Sequence, residues 1–226
     1  MASPKTKTRM LDAAERLFAA HGIAGTSLRA VTGEAGVNLA AVHYHFGTKD
    51  ALLREVFARR VGPVNEARLA RLDALEASAG GRPLAVEAIF TALLAPVIEQ
   101  SRADAQQGHD WRRMVGRVYA EPVEVVEPLL RQHFAEIERR FTAALARALP
   151  DLPAGEIAAR LSLVVGVLTH VLAGQHEIAL RQHGEVPSDA AMIARVVGFC
   201  AAGFRAPVAA PRAGARRVQT ALRRRA

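Results

Sequence analysis

Side chains that can bond to a polyanion or to base edges cluster in the segment 38–45. Asparagine, histidine and tyrosine donate to and accept from phosphates and bases. Small side chains such as Ala40 and Ala41 let a helix enter a major groove. The side chains expected on the outer surface are Asn38, Leu39, Ala40, Ala41, His43, Tyr44 and His45. The residue types therefore predict nucleic-acid recognition.

The elements needed to position these side chains are two short helices around a tight turn. A helix-turn-helix requires a small residue where the helices cross, a glycine at the turn and apolar inner faces. Ala35, Gly36 and Val37 meet the first two demands. Val42 on one helix, and Leu28 and Val31 on the other, provide the inner faces. Helical bundles that bind no DNA contain the same pattern, so this alternative stays open.

The rest of the chain also has helical periodicity, and no segment alternates apolar and polar residues long enough to predict a sheet. We expect an all-α protein with an N-terminal three-helix domain and a second helical bundle. Gly22, Gly36 and Gly47 end the first three helices, and a long fourth helix runs from about Thr48 toward Ala77. Pro96 should kink the fifth helix. Further helices are expected at about 84–102, 108–121, 124–148, 154–182 and 188–205.

Positive charge is concentrated at the two ends of the chain, whose formal net charge is +8. Residues 1–60 contain nine basic and five acidic side chains, and residues 205–226 contain seven arginines and no acid. Residues 61–204 have a net charge of −3. This distribution is expected if the ends approach a polyanion and the middle does not. Solvated charges that only maintain solubility are the alternative.

Cysteine content and hydropathy favour a cytoplasmic protein without a membrane partner. Cys200 is the single cysteine, so no intramolecular disulfide framework exists. The N-terminus lacks the apolar run of a secretion signal. The longest nearly apolar stretch, 161–174, has 14 residues, whereas a membrane span needs about 20. We expect it to be a buried core helix.

Two C-terminal helices are apolar over a wide arc. One stripe comprises Ile157, Leu161, Val164, Leu168, Val171, Gln175 and Ile178. Two others comprise Ile193, Val197, Cys200 and Phe204, and Met192, Val196, Phe199 and Gly203. Such helices must be covered on more than one side. A homodimer with a two-fold four-helix interface provides that cover. A helix pair buried within a monomer is the alternative.

Large apolar residues in the helical domain predict a pocket for an apolar or amphipathic small molecule between the helices spanning 84–148 and the helix 154–182, with the kink at Pro96 preventing close packing. The candidate effector-binding residues are Phe90, Leu94, Trp111, Met114, Arg117, Phe134 and His170. An ordinary filled core formed by the same residues is the alternative.

Residues 11–52 resemble the DNA-binding region of the tetracycline-repressor (TetR) family. The resemblance rests on the motifs LDAAERLF (11–18), TSLR (26–29), AGV (35–37) and YHFGTKDAL (44–52), together with Gly22. Many members have tyrosine where this chain has His43. The resemblance implies that Thr26, Tyr44, His45 and Lys49 contact phosphates and that residues 38–43 face the bases. Ser27 completes the candidate DNA-binding set.

The resemblance also implies a regulator that binds a palindromic operator on double-stranded DNA as a dimer and is released by an effector. The segment 113–172 is similar to a branch that includes fatty-acid-responsive regulators. The expected domains are a helix-turn-helix domain (1–48), an effector-binding and dimerisation domain (49–205), and a basic disordered tail (206–226).

Two other function classes would leave different signs in the sequence. An enzyme is not expected, because the sequence contains no His-Glu-x-x-His, no phosphate-binding glycine loop and no nucleophile motif. His43 and His45 diverge on a helix, so no metal or cofactor is expected there either. An architectural DNA-binding protein that responds to no ligand is the remaining alternative.

Overall fold

The computed structural model describes residues 4–106, 114–116, 118, 121–185 and 187–208. These residues form helices and contain no strand, which confirms the expected all-α fold. The helices are α1 (Pro4–His21), α2 (Leu28–Ala35), α3 (Leu39–His45), α4 (Lys49–Ala79), α5 (Val86–Gln106), α6 (Val123–Ala148), α7 (Ala154–Leu172), α8 (Gln175–Arg181) and α9 (Asp189–Arg205). The predicted helix 108–121 and the tail from 209 onward lie largely or wholly outside the described residues.

Helices α1–α3 pack around a small apolar core and form the helix-turn-helix domain. Phe18 of α1, Val31 of α2 and Val42 of α3 are buried together in it. Gly36 ends α2 in the left-handed conformation at φ 60°, which glycine adopts without steric penalty. A Cβ at this position would also lie 2.8 Å from Nη2 of Arg9. The side chain of Arg9 donates to the carbonyl oxygens of Ala35 and Gly36, so α1 holds the turn directly.

Helix α4 connects the helix-turn-helix domain to the rest of the chain without a break. Its N-terminus follows α3 after a three-residue turn, where Thr48 accepts a hydrogen bond from the N–H of Ala51 at 3.1 Å. Near this end Leu52 and Val56 are buried, and Leu72 is buried more than four turns beyond them. The helix therefore contributes buried residues to the apolar core both near the helix-turn-helix domain and within the bundle.

Helices α5, α6, α7 and α9 pack with α4 into a bundle. Pro96 lies inside α5, where proline removes a backbone donor and disturbs the preceding turn. The nearby carbonyl oxygen of Leu93 accepts a hydrogen bond from Nε of Arg68 at 2.8 Å. On the other side of the bundle, Nη1 of Arg160 donates to the carbonyl oxygens of Phe204 and Ala206, both at 2.8 Å. The buried guanidinium of Arg160 thus supplies hydrogen-bond donors to carbonyl oxygens at the C-terminus of α9, which have no partner within the helix.

The predicted single helix 154–182 is wrong, because the structure divides it into α7 and α8. Gly174 adopts a left-handed conformation at φ 76°, which ends regular helical geometry there. Within the described residues, α7 is the one helix long and apolar enough by composition to cross a membrane. Only 28% of the apolar stretch of α7 is buried within the protomer. Helix α7 is therefore not the fully buried core helix that its sequence predicts.

Candidate DNA-recognition helix and effector cavity

The outer surface of α3 exposes the side chains expected to face DNA. Tyr44 is 76% exposed, and His43 and Ala40 are exposed as well. Leu39 is 36% exposed at the first turn of the helix. Val42 is fully buried, so the helix is anchored along one side and accessible along the other. This arrangement can present base-contacting groups to a groove.

Three predicted DNA contacts have side-chain roles inside the protein. The hydroxyl of Thr26 is buried and donates to the carbonyl oxygens of Gly22 at 2.8 Å and Leu17 at 3.2 Å. Ser27 and Asn38 are N-caps whose side-chain oxygens accept hydrogen bonds from N–H groups in the first turns of α2 and α3. These residues therefore position the two helices of the motif through their side chains.

His43 has a defined hydrogen bond to the backbone. Its Nδ1 lies 3.0 Å from the carbonyl oxygen of Gly47, which can only accept. Nδ1 therefore carries the proton, and in the neutral imidazole Nε2 is an acceptor. An exposed acceptor on the recognition helix can contact an amino group on a base edge.

His45 points away from the exposed surface of α3. Its Nε2 is buried without a hydrogen-bond partner and borders a cavity of about 240 Å³ between α3, α4 and α6. His133 of α6 lines the same cavity, and burial lowers the pKa of its imidazole. The structure therefore places the His45 ring against α4 and α6. The phosphate contact that the resemblance implies for His45 stays a prediction. Lys49 is half-buried at the first turn of α4.

A larger cavity of about 380 Å³ lies between α4, α5, α6 and α7, with Val115 contributing to its wall. Phe57, Phe134 and Phe141 supply aromatic surface, and Leu94 lines the α5 side. Its size is within the usual range for ligand pockets.

The sequence-predicted effector residues are only partly brought together. Leu94 and Phe134 line the cavity. Phe90 instead packs in the core against Phe204, with ring centroids 4.9 Å apart, and Met114 is fully buried and does not line the cavity. His170 is exposed on α7 and does not reach the cavity. Trp111 and Arg117 lie outside the described residues.

Two arginines that the sequence pattern did not single out border the cavity from α4. Arg68 is 5% exposed, and its Nη1 donates to Oδ1 of Asn65 at 2.9 Å. Its guanidinium carbon lies 5.9 Å from the centre of the Phe134 ring, close enough for a cation–π interaction. Arg60 lies on the same side of α4, together with Val64. The sequence did contain a sign of them, since both interrupt the apolar stripe of α4 at helical spacing.

Ion pairs link α4 to α1 of the helix-turn-helix domain. Glu15 is 4% exposed, and its carboxylate lies 2.8 Å from both Nη2 of Arg59 and Nη2 of Arg60. Arg59 also pairs with Asp12 at 2.8 Å, and hydrogen bonds to the two carboxylates raise its pKa against an opposing effect of burial. The ion pairs contribute to holding the two helices together. No pattern in the sequence indicates which arginine pairs with which acid.

A second link joins the segment before α6 to the loop after α1. Oε1 of Glu121 accepts hydrogen bonds from the backbone N–H groups of Ile23 at 2.8 Å and Ala24 at 3.3 Å. Val118, one turn before Glu121, is buried, and Val115 lines the large cavity. The cavity wall and the helix-turn-helix domain are therefore separated by a few residues of chain.

Helices α7 and α9 expose an apolar surface, which we call the α7–α9 face. Leu163 is 70% exposed and Phe199 is 68% exposed. Gly166 and Gly198 lie beside them, and a Cβ at either glycine would have no atom within 4 Å. The remaining members are small residues at helical spacing, Ala159, Ala191, Ala194 and Ala202. The inner stripe of α7 that contains Ile157 and Val164 is buried within the protomer.

The described residues contain no group of three or more His, Cys, Asp or Glu side chains that could hold a metal ion. Cys200 is buried in the core, and burial raises the pKa of its thiol to about 11. A thiol with so high a pKa is a poor nucleophile near neutral pH.

Two family models match the chain. The model "Bacterial regulatory proteins, tetR family" matches residues 10–56. The model "Tetracyclin repressor-like, C-terminal domain" matches residues 91–203, which is half of the chain. The first match covers most of α1, all of α2 and α3 and the beginning of α4, and the second covers most of the helical bundle.

Curated relatives and solved structures agree with these matches. The HTH-type transcriptional regulator AcrR of Shigella flexneri is 32% identical over 100 residues, 43% of this chain and 45% of that protein. SrpR of Pseudomonas putida is 37% identical over 60 residues, 26% of this chain and 28% of that regulator. The match therefore spans less than half the length of these curated relatives.

Among solved structures, the fatty acid degradation regulator FadR of Bacillus halodurans superposes with a TM-score of 0.58 at 16% identity, covering 92% of this chain and all of that one. A tetR family transcription regulator of Shewanella sp. PV-4 gives a TM-score of 0.57 at 19% identity, covering 88% and 95%. At these identities the likeness concerns the fold alone. The related proteins are transcription regulators and not enzymes.

Proposed function

This chain belongs to the TetR family of bacterial transcriptional regulators, and from that premise we propose that it is a repressor whose DNA binding is relieved by a small molecule. The repressor binds a palindromic operator as a homodimer. An apolar or amphipathic effector occupies the cavity of about 380 Å³ and lowers the affinity for DNA.

The observation that carries this proposal is the course of α4. The helix begins at Lys49, next to the recognition helix, and lines the cavity from Phe57 to Arg68. A ligand that fits only one arrangement of the bundle therefore acts on the element that positions α3. A hundredfold loss of DNA affinity requires about 2.7 kcal/mol of coupling between the two sites.

The α7–α9 face supports dimerisation. Leu163 and Phe199 are exposed on two helices that pack against each other, with small residues at helical spacing around them. Gly166 and Gly198 allow the helices of a second copy to approach closely. In a two-fold dimer the two α3 helices enter successive major grooves about 34 Å apart, which requires a palindromic site.

We assign three parts to the chain within this function. Residues 1–48 read the operator, residues 49–205 bind the effector and dimerise, and the basic tail 206–226 adds positive charge. The DNA-contacting set comprises exposed His43 and Tyr44 on α3, the small residues at its start, and Lys49. The division is supported by α4, which packs against α1 of the helix-turn-helix domain and against α5 and α6 of the bundle.

The direct test is selection of bound DNA from a random pool by the full-length protein, followed by binding measurements on the selected fragment. A repressor of this kind selects a palindrome and sediments as a dimer. Lys49→Ala should weaken binding to all sequences alike. It should also reduce the slope of the salt dependence by roughly one for each phosphate that the variant no longer neutralises.

Small molecules are then screened for stabilisation of the protein and for release of the selected DNA. Acyl chains form one class to screen, because the structurally similar FadR is described as a regulator of fatty acid degradation. A protein that coats DNA with little sequence preference and responds to no compound would instead be architectural, and this outcome would overturn the proposal.

A further inference from the structure

We propose that the effector is an organic anion with an apolar tail, and that its anionic group competes with Glu15 for the guanidinium of Arg60. The proposal rests on the proposed function, since it specifies the ligand class and the release mechanism of the same cavity. It starts from the position of Arg60, which lines the cavity and also binds a buried carboxylate of the helix-turn-helix domain.

The charges around the cavity favour an anion. Arg60 and Arg68 are eight residues apart on α4, so their Cα atoms are separated by about 12 Å along the helix. The described lining includes one acid, Glu138, and it is exposed at the edge. The walls between these groups are apolar. A ligand that leaves water for this cavity therefore finds an apolar surface bordered by two arginines.

Arg68 adds to the preference for negative charge. It is 5% exposed and borders the cavity, and its Nε and Nη1 donate to the carbonyl oxygen of Leu93 and to Oδ1 of Asn65. A charge in a low-dielectric environment attracts an opposite charge more strongly than it would in water. A cationic ligand in the cavity would be repelled by both arginines.

The interactions of Arg60 make it the residue through which an anion can affect DNA binding. Its Nε lies 3.0 Å from both carboxylate oxygens of Glu15, and its Nη2 lies 2.8 Å from Oε1. Glu15 is on α1, whereas Arg60 is on α4 at the cavity wall. When the guanidinium turns toward a ligand anion, one ion pair between α1 and α4 is broken.

Arg59 makes this exchange feasible and supplies the matched control. It binds Oε2 of Glu15 at 2.8 Å but does not line the cavity. Glu15 therefore retains a cationic partner when Arg60 leaves, and no unpaired carboxylate is left in the core. Removal of the last partner of a buried charge would be much more costly.

The first experiment compares three probes that share a ten-carbon tail: decanoate, decan-1-ol and decyltrimethylammonium. Each is titrated below its critical micelle concentration, with direct calorimetric binding and affinity for the selected DNA as readouts. Decanoate should bind at least about tenfold more tightly than decanol, because charge-assisted hydrogen bonds are the stronger kind. It should also be the probe that releases DNA.

The outcomes separate this proposal from the proposed function. Release of DNA by decanol or by the cation alone would overturn the anion while retaining effector-controlled repression. Binding of decanoate without any change in DNA affinity would overturn the competition at Arg60 and the proposed release together, although the ligand class would stand. Failure of all three probes to bind would overturn the anion proposal.

The second experiment tests the competition with variants. Arg60→Met should weaken decanoate binding about ten- to hundredfold, whereas Arg59→Met should leave it within about twofold. Glu15→Gln should tighten decanoate binding and weaken DNA binding in the absence of ligand, since coupling between two sites is reciprocal. A purely structural role of Glu15 would not improve ligand binding.

Folding of each variant is checked by its thermal unfolding curve, and Arg60→Lys provides a second substitution that keeps the charge. Arg60→Lys should retain a measurable preference for decanoate over decanol while losing affinity, because lysine lacks the two-pronged geometry of arginine. Equal decanoate binding by wild type, Arg60→Met and Arg60→Lys would overturn the proposal. Loss of binding in Arg68→Met but not in Arg60→Met would place the anion at the wrong end of the cavity for competition.

Discussion

Glu121 accepts a hydrogen bond from the backbone N–H of Ile23 at 2.8 Å, although 98 residues separate the two in the chain. The contact joins the bundle to the loop between α1 and α2. Gly22 precedes Ile23 in a left-handed conformation at φ 75°, and a Cβ there would lie 3.0 Å from Oε1 of Glu121. The carboxylate therefore fits against a backbone surface that only glycine leaves open.

Replacement of Glu121 by alanine should lower the free energy of unfolding by about 1–2 kcal/mol, because two backbone donors would then lack their charged acceptor. Gly22→Ala should cost a similar amount from its left-handed conformation, with an added steric conflict. Chemical denaturation of both single variants and the double variant gives the coupling. We expect Gly22→Ala to be less costly when Glu121 is already absent.

The control for that cycle is Glu124→Ala, which removes an exposed carboxylate from the first turn of α6. It should change stability by less than about 0.5 kcal/mol. Strict additivity of Gly22→Ala and Glu121→Ala would contradict the contact, since residues that touch are coupled.

The α7–α9 face predicts which substitutions separate the protomers. Leu163→Arg combined with Phe199→Arg should convert the protein to a monomer at micromolar concentration, because two charges per subunit would enter an apolar interface. Sedimentation velocity measures the change, and circular dichroism should show unchanged helix content. Affinity for a full palindrome should fall because one protomer reads only half of it.

Matched and opposite controls accompany the dimer prediction. Ala70→Arg places the same side chain on an exposed position of α4 and should leave the protein dimeric. Val197→Asp should instead unfold the protein, since Val197 is buried within the protomer. A double-arginine variant that still sediments as a dimer would show that another surface forms the interface.

His43 predicts a base preference. With Nδ1 donating to Gly47, Nε2 accepts and should contact an amino group, that of adenine or cytosine, in the major groove. His43→Ala should remove the preference at one symmetric pair of operator positions at a cost of about 1–3 kcal/mol for the preferred site. Selection from random DNA with wild type and variant measures it. A base preference that is unchanged in His43→Ala would contradict the contact.

The ion pair between α5 and α9 predicts a pH dependence. Hydrogen bonds from Arg205 lower the pKa of Glu87 from its ordinary 4.5 to about 2, with Nη2 to Oε2 at 2.6 Å. A lowered carboxyl pKa stabilises the folded state above the unfolded value, and this contribution is lost as pH falls from 4.5 to about 2. The difference in Tm between wild type and Glu87→Gln should therefore shrink over that range. Arg205→Gln should show the same dependence, and a difference that persists at pH 2 would contradict it.

Local features of the fold were predictable from the sequence because their causes are local. Ser27, Asn38 and Thr48 each start a helix by accepting a hydrogen bond from an N–H three residues on. The turn at Gly36 follows from glycine's access to the left-handed conformation. Together with apolar spacing, these interactions define the helix-turn-helix from about twenty consecutive residues.

Apolar periodicity alone did not determine what covers each helix face. The stripe of Ile157 and Val164 faces the protomer core, whereas exposed Leu163 lies on the other side of α7. Phe90 and Phe134 have equally apolar side chains, yet Phe90 packs against Phe204 and Phe134 lines the cavity. A stripe shows that a face avoids water, and only the arrangement of the helices determines whether core, ligand or second copy covers it.

The long-range polar contacts were decided by tertiary structure as well. The sequence shows that Glu15, Arg59 and Arg60 are charged, but their pairing follows from α1 lying against α4. The burial of Nε2 of His45 likewise depends on how α4 and α6 pack against α3. Electrostatic attraction and burial depend on how close groups are in space. Residues far apart in the chain come close to one another only when the helices have packed.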